Sequence, residues 1–212
     1  MKKAILLLAL LLQACGGALT IDAFPTATYL MVGQSNMADG RMAIKFAQYM
    51  LEHKRPITIL IAAQGSTRIS CWRANGACFD ASVTPYTDKQ IEGIVYWQGE
   101  SDGLGNTYPS YGENLAALIV EYRAVFGEVP FYMIEMQRYN PLTDNAAKPG
   151  DVFDEPIAWS TVREGQYDVL ASDLKYIYLV HTTDITYGAI HPIPVYDKIA
   201  ERLGELVIGE TK

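Results

Sequence analysis

The stretch Tyr29-Leu30-Met31-Val32-Gly33-Gln34-Ser35-Asn36-Met37 is an apolar run that stops at a glycine and delivers a serine just ahead of an amphipathic segment. A short apolar run of this kind reads as a strand buried on both faces, and the change of pattern after it reads as a strand-to-helix turn. Ser35 then sits at the carboxyl edge of a sheet with its backbone N–H near a helix start. A hydroxyl so placed can attack a carbonyl carbon while nearby N–H groups stabilise the oxyanion.

Working outward, further apolar runs near Ile57–Ala62, Ile94–Trp97, Phe131–Met136 and Tyr176–Val180 alternate with helix-period segments. Met42, Phe46, Tyr49 and Met50 share one helical face. Tyr111, Leu115, Leu118, Ile119, Tyr122 and Phe126 form a second stripe. A third helix is expected over Ile157 to Leu170. A last one is opened by Pro194, with Val195, Ile199, Leu203 and Leu206 facing inward. The alternation predicts an α/β fold: a three-layer α/β/α sandwich around a parallel sheet of about five strands. In such a fold the site lies at the carboxyl ends of the strands. Two long polar connections, Gln64–Gln90 and Gln137–Glu155, are expected to form the rims of its cleft.

Residues 1–15 read as a processing segment: basic Lys2-Lys3, an apolar Ala4–Leu12, then Leu12-Gln13-Ala14-Cys15. Cys15 stands where a lipobox places its lipidated cysteine, and a plain secretory signal cut nearby is the alternative. Residues 16–212 form the domain. The expected location is outside the cytoplasm, in a bacterial periplasm or cell envelope or secreted, with membrane contact only through an N-terminal lipid. In an exported chain, Cys71 and Cys78 are expected to close a disulfide.

The 212 residues are 50% apolar and 19% charged, enough for one cored domain. The 17 Lys and Arg fall to 15 without Lys2 and Lys3, against 24 Asp and Glu, so the formal charge goes from -7 to -9. No basic cluster is present to neutralise phosphates, which argues against nucleic acid as a partner.

A nucleophilic serine needs a base. His53 lies among Glu52, Lys54 and Arg55 and reads as a surface residue. His181 follows the fifth strand. His191 precedes Pro192, which holds its backbone extended just before the last helix, and it is the stronger candidate. The G-x-S-x-G elbow of the α/β-hydrolases is absent, because Met37 stands where its closing glycine belongs.

Gly33-Gln34-Ser35-Asn36-Met37, the Gly65 loop, Trp97-Gln98-Gly99-Glu100-Ser101-Asp102 and His191-Pro192 together resemble the SGNH hydrolase superfamily. More narrowly they are similar to its sialate O-acetylesterase and acetylxylan esterase branch, over about Thr28 to Leu206. The resemblance implies a serine esterase removing O-acetyl groups from carbohydrate, with neither metal nor organic cofactor. Ser35 matches the nucleophile and His191 the general base. The Ser35 and Gly65 N–H groups and the Gln98 amide match the oxyanion hole. In place of the family's aspartate three residues before the histidine stands Gly188. Glu100 and Asp184 are the acids left to orient His191, and Glu100 is favoured by its motif. Asp102 beside Glu100 lacks the ligand spacing of a calcium loop. Trp72 and Trp97 are available as sugar platforms or as core.

The competing readings are a non-catalytic carbohydrate-binding surface protein, which Gly188 motivates, and a lipid or thioester hydrolase of the same superfamily.

Overall fold

A computed structural model describes residues 26–105, 107–139, 155–185 and 196–210. Five strands, β1 (Ala27–Gly33), β2 (Ile57–Ala63), β3 (Gly93–Trp97), β4 (Phe131–Ile134) and β5 (Ile177–Val180), form one parallel sheet in the order β2-β1-β3-β4-β5. The chain starts mid-sheet, winds outward to β2, then returns past β1 to β3 and on to β5. That reversal is the switch point, and it puts the ends of β1 and β3 side by side: Gly33 pairs with Trp97.

The helices cover both faces, as the alternation predicts. On one side α2 (Arg41–Glu52) and α7 (Tyr196–Glu210) bury Met42, Phe46, Met50, Ile199 and Leu203 against Met31, Val95 and Ile134. On the other, α3 (Ala77–Val83), α5 (Tyr111–Phe126) and α6 (Ile157–Leu170) pack Phe79, Leu115, Leu118, Tyr122, Trp159 and Val162 against Leu30, Ile94 and Met133. Every β3 and β4 residue is buried, which explains apolar runs without alternation. Two short helical turns, α1 (Ser35–Ala38) and α4 (Glu100–Gly103), follow β1 and β3 directly.

One expectation is adjusted. The fourth strand ends at Ile134 and not Met136, because the Met136 N–H leaves the ladder for the Gln166 side chain at 2.9 Å. The first polar connection holds α3 and a 3₁₀ turn over Ile69–Trp72, since Ile69, Trp72, Cys78 and Phe79 all reach the core. Trp72 and Trp97 are each no more than 1% exposed, so both are core and neither is a sugar platform. Cys71 and Cys78 form a disulfide, with Cα atoms 5.0 Å apart. The processing segment with Cys15, most of the second connection, and Gly188, His191, Pro194 and Val195 lie outside the described residues.

Candidate active site

Backbone geometry sets the serine. Gly33 has φ +149°, and a Cβ there would fall 2.0 Å from the Trp97 carbonyl oxygen, so only glycine lets the ends of β1 and β3 meet. The Gln34 N–H then donates to that same Trp97 carbonyl at 3.0 Å, and the Gln64 N–H donates to the Gly33 carbonyl at 2.9 Å. Three strand ends are thereby tied at one point. Ser35, half-buried, opens α1 from this knot.

The Gly65 loop closes on it from the β2 side. A Cβ built on Gly65 would lie 3.8 Å from the Ser35 Cβ, which puts the exposed backbone of Gly65 against the serine. The loop is held firmly from behind. The Thr67 hydroxyl donates to the Gln64 carbonyl at 2.7 Å and accepts from the Trp72 indole N–H at 3.0 Å. The disulfide clips the far end of the loop to the start of α3.

Gln98 is fully buried, and its amide is already engaged. The Nε2 group donates to the Thr67 carbonyl at 3.0 Å and to Asp102 Oδ2 at 2.6 Å, while Oε1 accepts from the Tyr96 hydroxyl at 3.0 Å. Both amide hydrogens are therefore spent on fixing the Gly65 loop, and an oxyanion bond would require one of these to be given up. Asp102 also accepts from the Ile69 N–H at 2.8 Å and the Thr107 hydroxyl at 2.6 Å. It acts as a knot between the β2 and β3 loops.

Glu100 is 1% exposed and lies among amides. Its Oε2 accepts from Gln34 Nε2 at 2.5 Å, and its Oε1 accepts from Asn36 Nδ2 at 2.6 Å and Gln137 Nε2 at 3.3 Å. Gln34 and Asn36 are the two neighbours of Ser35. Burial pushes the Glu100 carboxyl above the ordinary glutamate value, and hydrogen bonds to its charged form offset part of that. Asn36 in turn accepts from the Tyr196 hydroxyl at 2.8 Å, which links the serine turn to the first residue of α7. Gly99, at φ +154°, provides the sharp entry that swings Glu100 under the turn.

Asp184 is placed differently. Its carboxylate takes both guanidinium arms of Arg202, at 2.6 and 2.7 Å, and its side chain is 62% exposed. The Arg202 hydrogen bonds hold it below the usual carboxylate range. His181 is also largely exposed, with Nδ1 3.6 Å from the buried Glu135 carboxylate. His53 stacks on Tyr49 at the surface.

Sequence reasoning missed Asn36, Gln137, Tyr196 and Thr67 as parts of this site. Asn36 was visible inside the serine motif. The other three carry no local signal, since each meets its partner through the fold.

Residues 41–192 match the family described as carbohydrate esterase, sialic acid-specific acetylesterase. No curated protein matches. Among solved structures, the chain is similar to a carbohydrate acetylesterase from Xanthomonas citri, with 19% identity and a TM-score of 0.68, covering 88% of this chain and 57% of that one. The chain thus spans little more than half the length of that relative. It is also similar to a protein from Slackia heliotrinireducens described as an SGNH hydrolase, with 18% identity, a TM-score of 0.60 and coverage of 86% and 99%. A carbohydrate esterase family 3 structure from Talaromyces cellulolyticus gives 9% identity, a TM-score of 0.63 and coverage of 87% and 98%. At these identities the likeness to the solved structures is one of fold. By its family match over most of its length, the chain belongs to the sialic acid-specific acetylesterase family of carbohydrate esterases, on the α/β fold of the SGNH hydrolases.

Proposed function

We propose that the chain is a serine esterase that removes O-acetyl groups from a carbohydrate. The observation that carries this is the approach of the Gly65 backbone to Ser35 at the switch point, which supports a serine nucleophile served by backbone N–H donors. Ser35 attacks the acetyl carbonyl, and His191 takes its proton. The Ser35 and Gly65 N–H groups receive the oxyanion, and Gln98 joins them when its amide swings off Asp102. The tetrahedral intermediate collapses as His191 returns the proton to the departing sugar hydroxyl. Water activated by His191 then releases acetate from Ser35. Glu100 holds the turn through Gln34 and Asn36. Asp184 and Tyr196 anchor the two ends of the segment that carries His191. The disulfide supports an exported protein, since such bonds persist in oxidising compartments.

The engagement of both candidate acids with other groups favours one second reading, a carbohydrate-binding protein without turnover. Ser35→Ala separates the two. On the esterase reading, wild type hydrolyses p-nitrophenyl acetate and is labelled by a fluorophosphonate, whereas the variant folds but does neither. A wild type that neither turns over nor labels would leave only the binding reading.

A further inference from the structure

The sheet has two edges, and they are finished differently. β5 is a strand of four residues, too short to template another chain. β2 runs for seven, Ile57-Thr58-Ile59-Leu60-Ile61-Ala62-Ala63, with no charge, no proline and no bulge in its register to β1. Charges, prolines and bulges are the devices by which soluble proteins blunt an open edge, and β2 carries none of them.

The register identifies the groups on its open side. The Gln64 N–H donates to the Gly33 carbonyl, so along this parallel ladder the even-numbered residues of β2 face β1. The N–H and C=O groups of Ile57, Ile59, Ile61 and Ala63 therefore point away from the sheet, with no hydrogen-bond partner among the described residues. Apolar side chains flank this row. Ile61 is 41% exposed. On α2, Lys45 and Tyr49 face α7, against Asp197 and Gly204, and Met42, Phe46 and Met50 face the sheet. Helical spacing then turns Ile44 and Leu51 away from α7, toward the β2 edge, and they are 58% and 62% exposed.

We infer that a second copy of this chain covers this edge, its β2 running antiparallel to the first about a two-fold axis at Leu60, so that the two sheets become one. The strand is self-complementary in that arrangement. Ile57 falls opposite Ala63 and Ile59 opposite Ile61, and in each pair both residues present their open groups, so every such group finds a partner. No like charges meet across the pair. The net negative charge of the chain acts between copies only at longer range, where salt screens it. The area is sufficient as well. Seven residues span about 24 Å, and a sheet with a helix on each face is about 25 Å deep. Joining two such walls buries about 1,200 Å² in total, above the roughly 1,000 Å² that a specific interface requires.

Analytical ultracentrifugation of the purified protein tests for the dimer, and amide hydrogen exchange tests which surface forms it. Wild type should sediment as a dimer. In it the Ile59 and Ile61 amides should exchange slowly, as those of Leu60 and Ala62 do through their bonds to β1, and they should become fast in the monomer. Ile61→Lys places a charge near the centre of the interface twice, on a side chain that already reaches water. It should weaken association by about a hundredfold or more while the monomer stays folded. Ile44→Glu combined with Leu51→Glu leaves β2 untouched and should weaken association roughly tenfold through lost apolar burial. A protein that stays monomeric at about 100 μM, above the micromolar range of weak interfaces of this kind, overturns the assignment. Fast exchange at Ile59 and Ile61 would then leave the edge open, and slow exchange would show that a segment of the same chain covers it. A dimer that keeps its affinity in both variants, or whose edge amides exchange as fast as in the monomer, overturns it too. The outcome is independent of whether Ser35 turns over an ester.

Discussion

Glu100 and Asp184 are the two acids the sequence offers for one task, and the fold gives them opposite surroundings. Glu100 is sealed under the serine turn, bonded to three neutral amides from the ends of β1 and β4. Asp184 stands in solvent beyond β5, with a guanidinium filling both its oxygens. The contrast separates two ways a carboxylate stabilises structure. In the buried case neutral donors solvate a charge that burial disfavours, and the donors are ordered in return. In the exposed case a full counter-charge acts through water, where its strength is low. Only the first arrangement touches the neighbours of Ser35.

The contrast breaks most readily at Glu100. Replacing it with Ala strands the Gln34 amide in the interior, at roughly 1–3 kcal/mol for a donor left unsatisfied, and removes one of the bonds that hold Asn36. A markedly lower Tm and loss of activity are expected together. Glu100→Gln is the sharper probe. The Oε1 of Gln34 has no partner among the described residues, so that amide can flip to receive the new one, and the fold should survive. If Glu100 positions Ser35, kcat should drop by about 10²-fold, the scale of a misplaced nucleophile. A drop nearer 10⁴-fold would instead make it the acid that orients the imidazole. Stability should move with pH as well. Because burial raises the Glu100 pKa, the folded state holds this proton more tightly than the unfolded state does. Stability from this group therefore declines as pH rises from the ordinary glutamate value through the raised one. Thermal unfolding across that window should show Tm of Glu100→Gln gaining on wild type with increasing pH. A constant difference would contradict the raised pKa.

Tyr196→Phe tests the same region from the other side. It removes the hydroxyl that donates to Asn36 while leaving the ring packed edge-on against Trp97 at 5.5 Å. A loss of about 1–2 kcal/mol is expected, or roughly 2–8 °C in Tm for a domain of this size. Since Glu100 still holds Asn36, the fall in kcat should be smaller than in Glu100→Gln. An equal fall would show that Asn36 is positioned from α7 and not from Glu100.

What the sequence made legible follows the range of the signal. Strands, helices and their faces are written in local periodicity, and Ile157–Leu170 is helical over the span that periodicity predicts. Ser35 was findable because it lies just past a strand; Gly65, Gln98 and Glu100 were named through the resemblance of their motifs to the SGNH hydrolases, and the parallel topology gathers the strand ends near which all four lie. The direction in which a side chain turns was not. Gln98 spends its amide on Thr67 and Asp102, and nothing around Gln98 in sequence announces it. The Glu100 bonds to Gln34 and Asn36 join residues more than sixty positions apart. Trp72 illustrates the same limit. An indole in a polar connection can line a cleft or fill a core, and only the path of that connection into the core settles the matter.

The smallest effect belongs to Asp184→Asn. The bidentate Arg202 contact is well formed, but most of the Asp184 side chain is in water, so its loss should cost no more than about 1 kcal/mol. The Arg202 bond to the His181 carbonyl, at 2.7 Å, remains to hold the end of β5. Hydrolysis of p-nitrophenyl acetate should stay within a fewfold of wild type, and the small stability loss should shrink further in high salt, where exposed charges are screened. Because Arg202 keeps the Asp184 carboxylate below the usual range, the stability it adds is present at neutral pH and is lost on acidification through that lowered pKa. The Tm difference between wild type and variant should therefore close at low pH. A loss of several orders of magnitude in kcat would reverse the comparison: Asp184 would then be leaving Arg202 to serve the imidazole during turnover, and Glu100 would be the structural carboxylate.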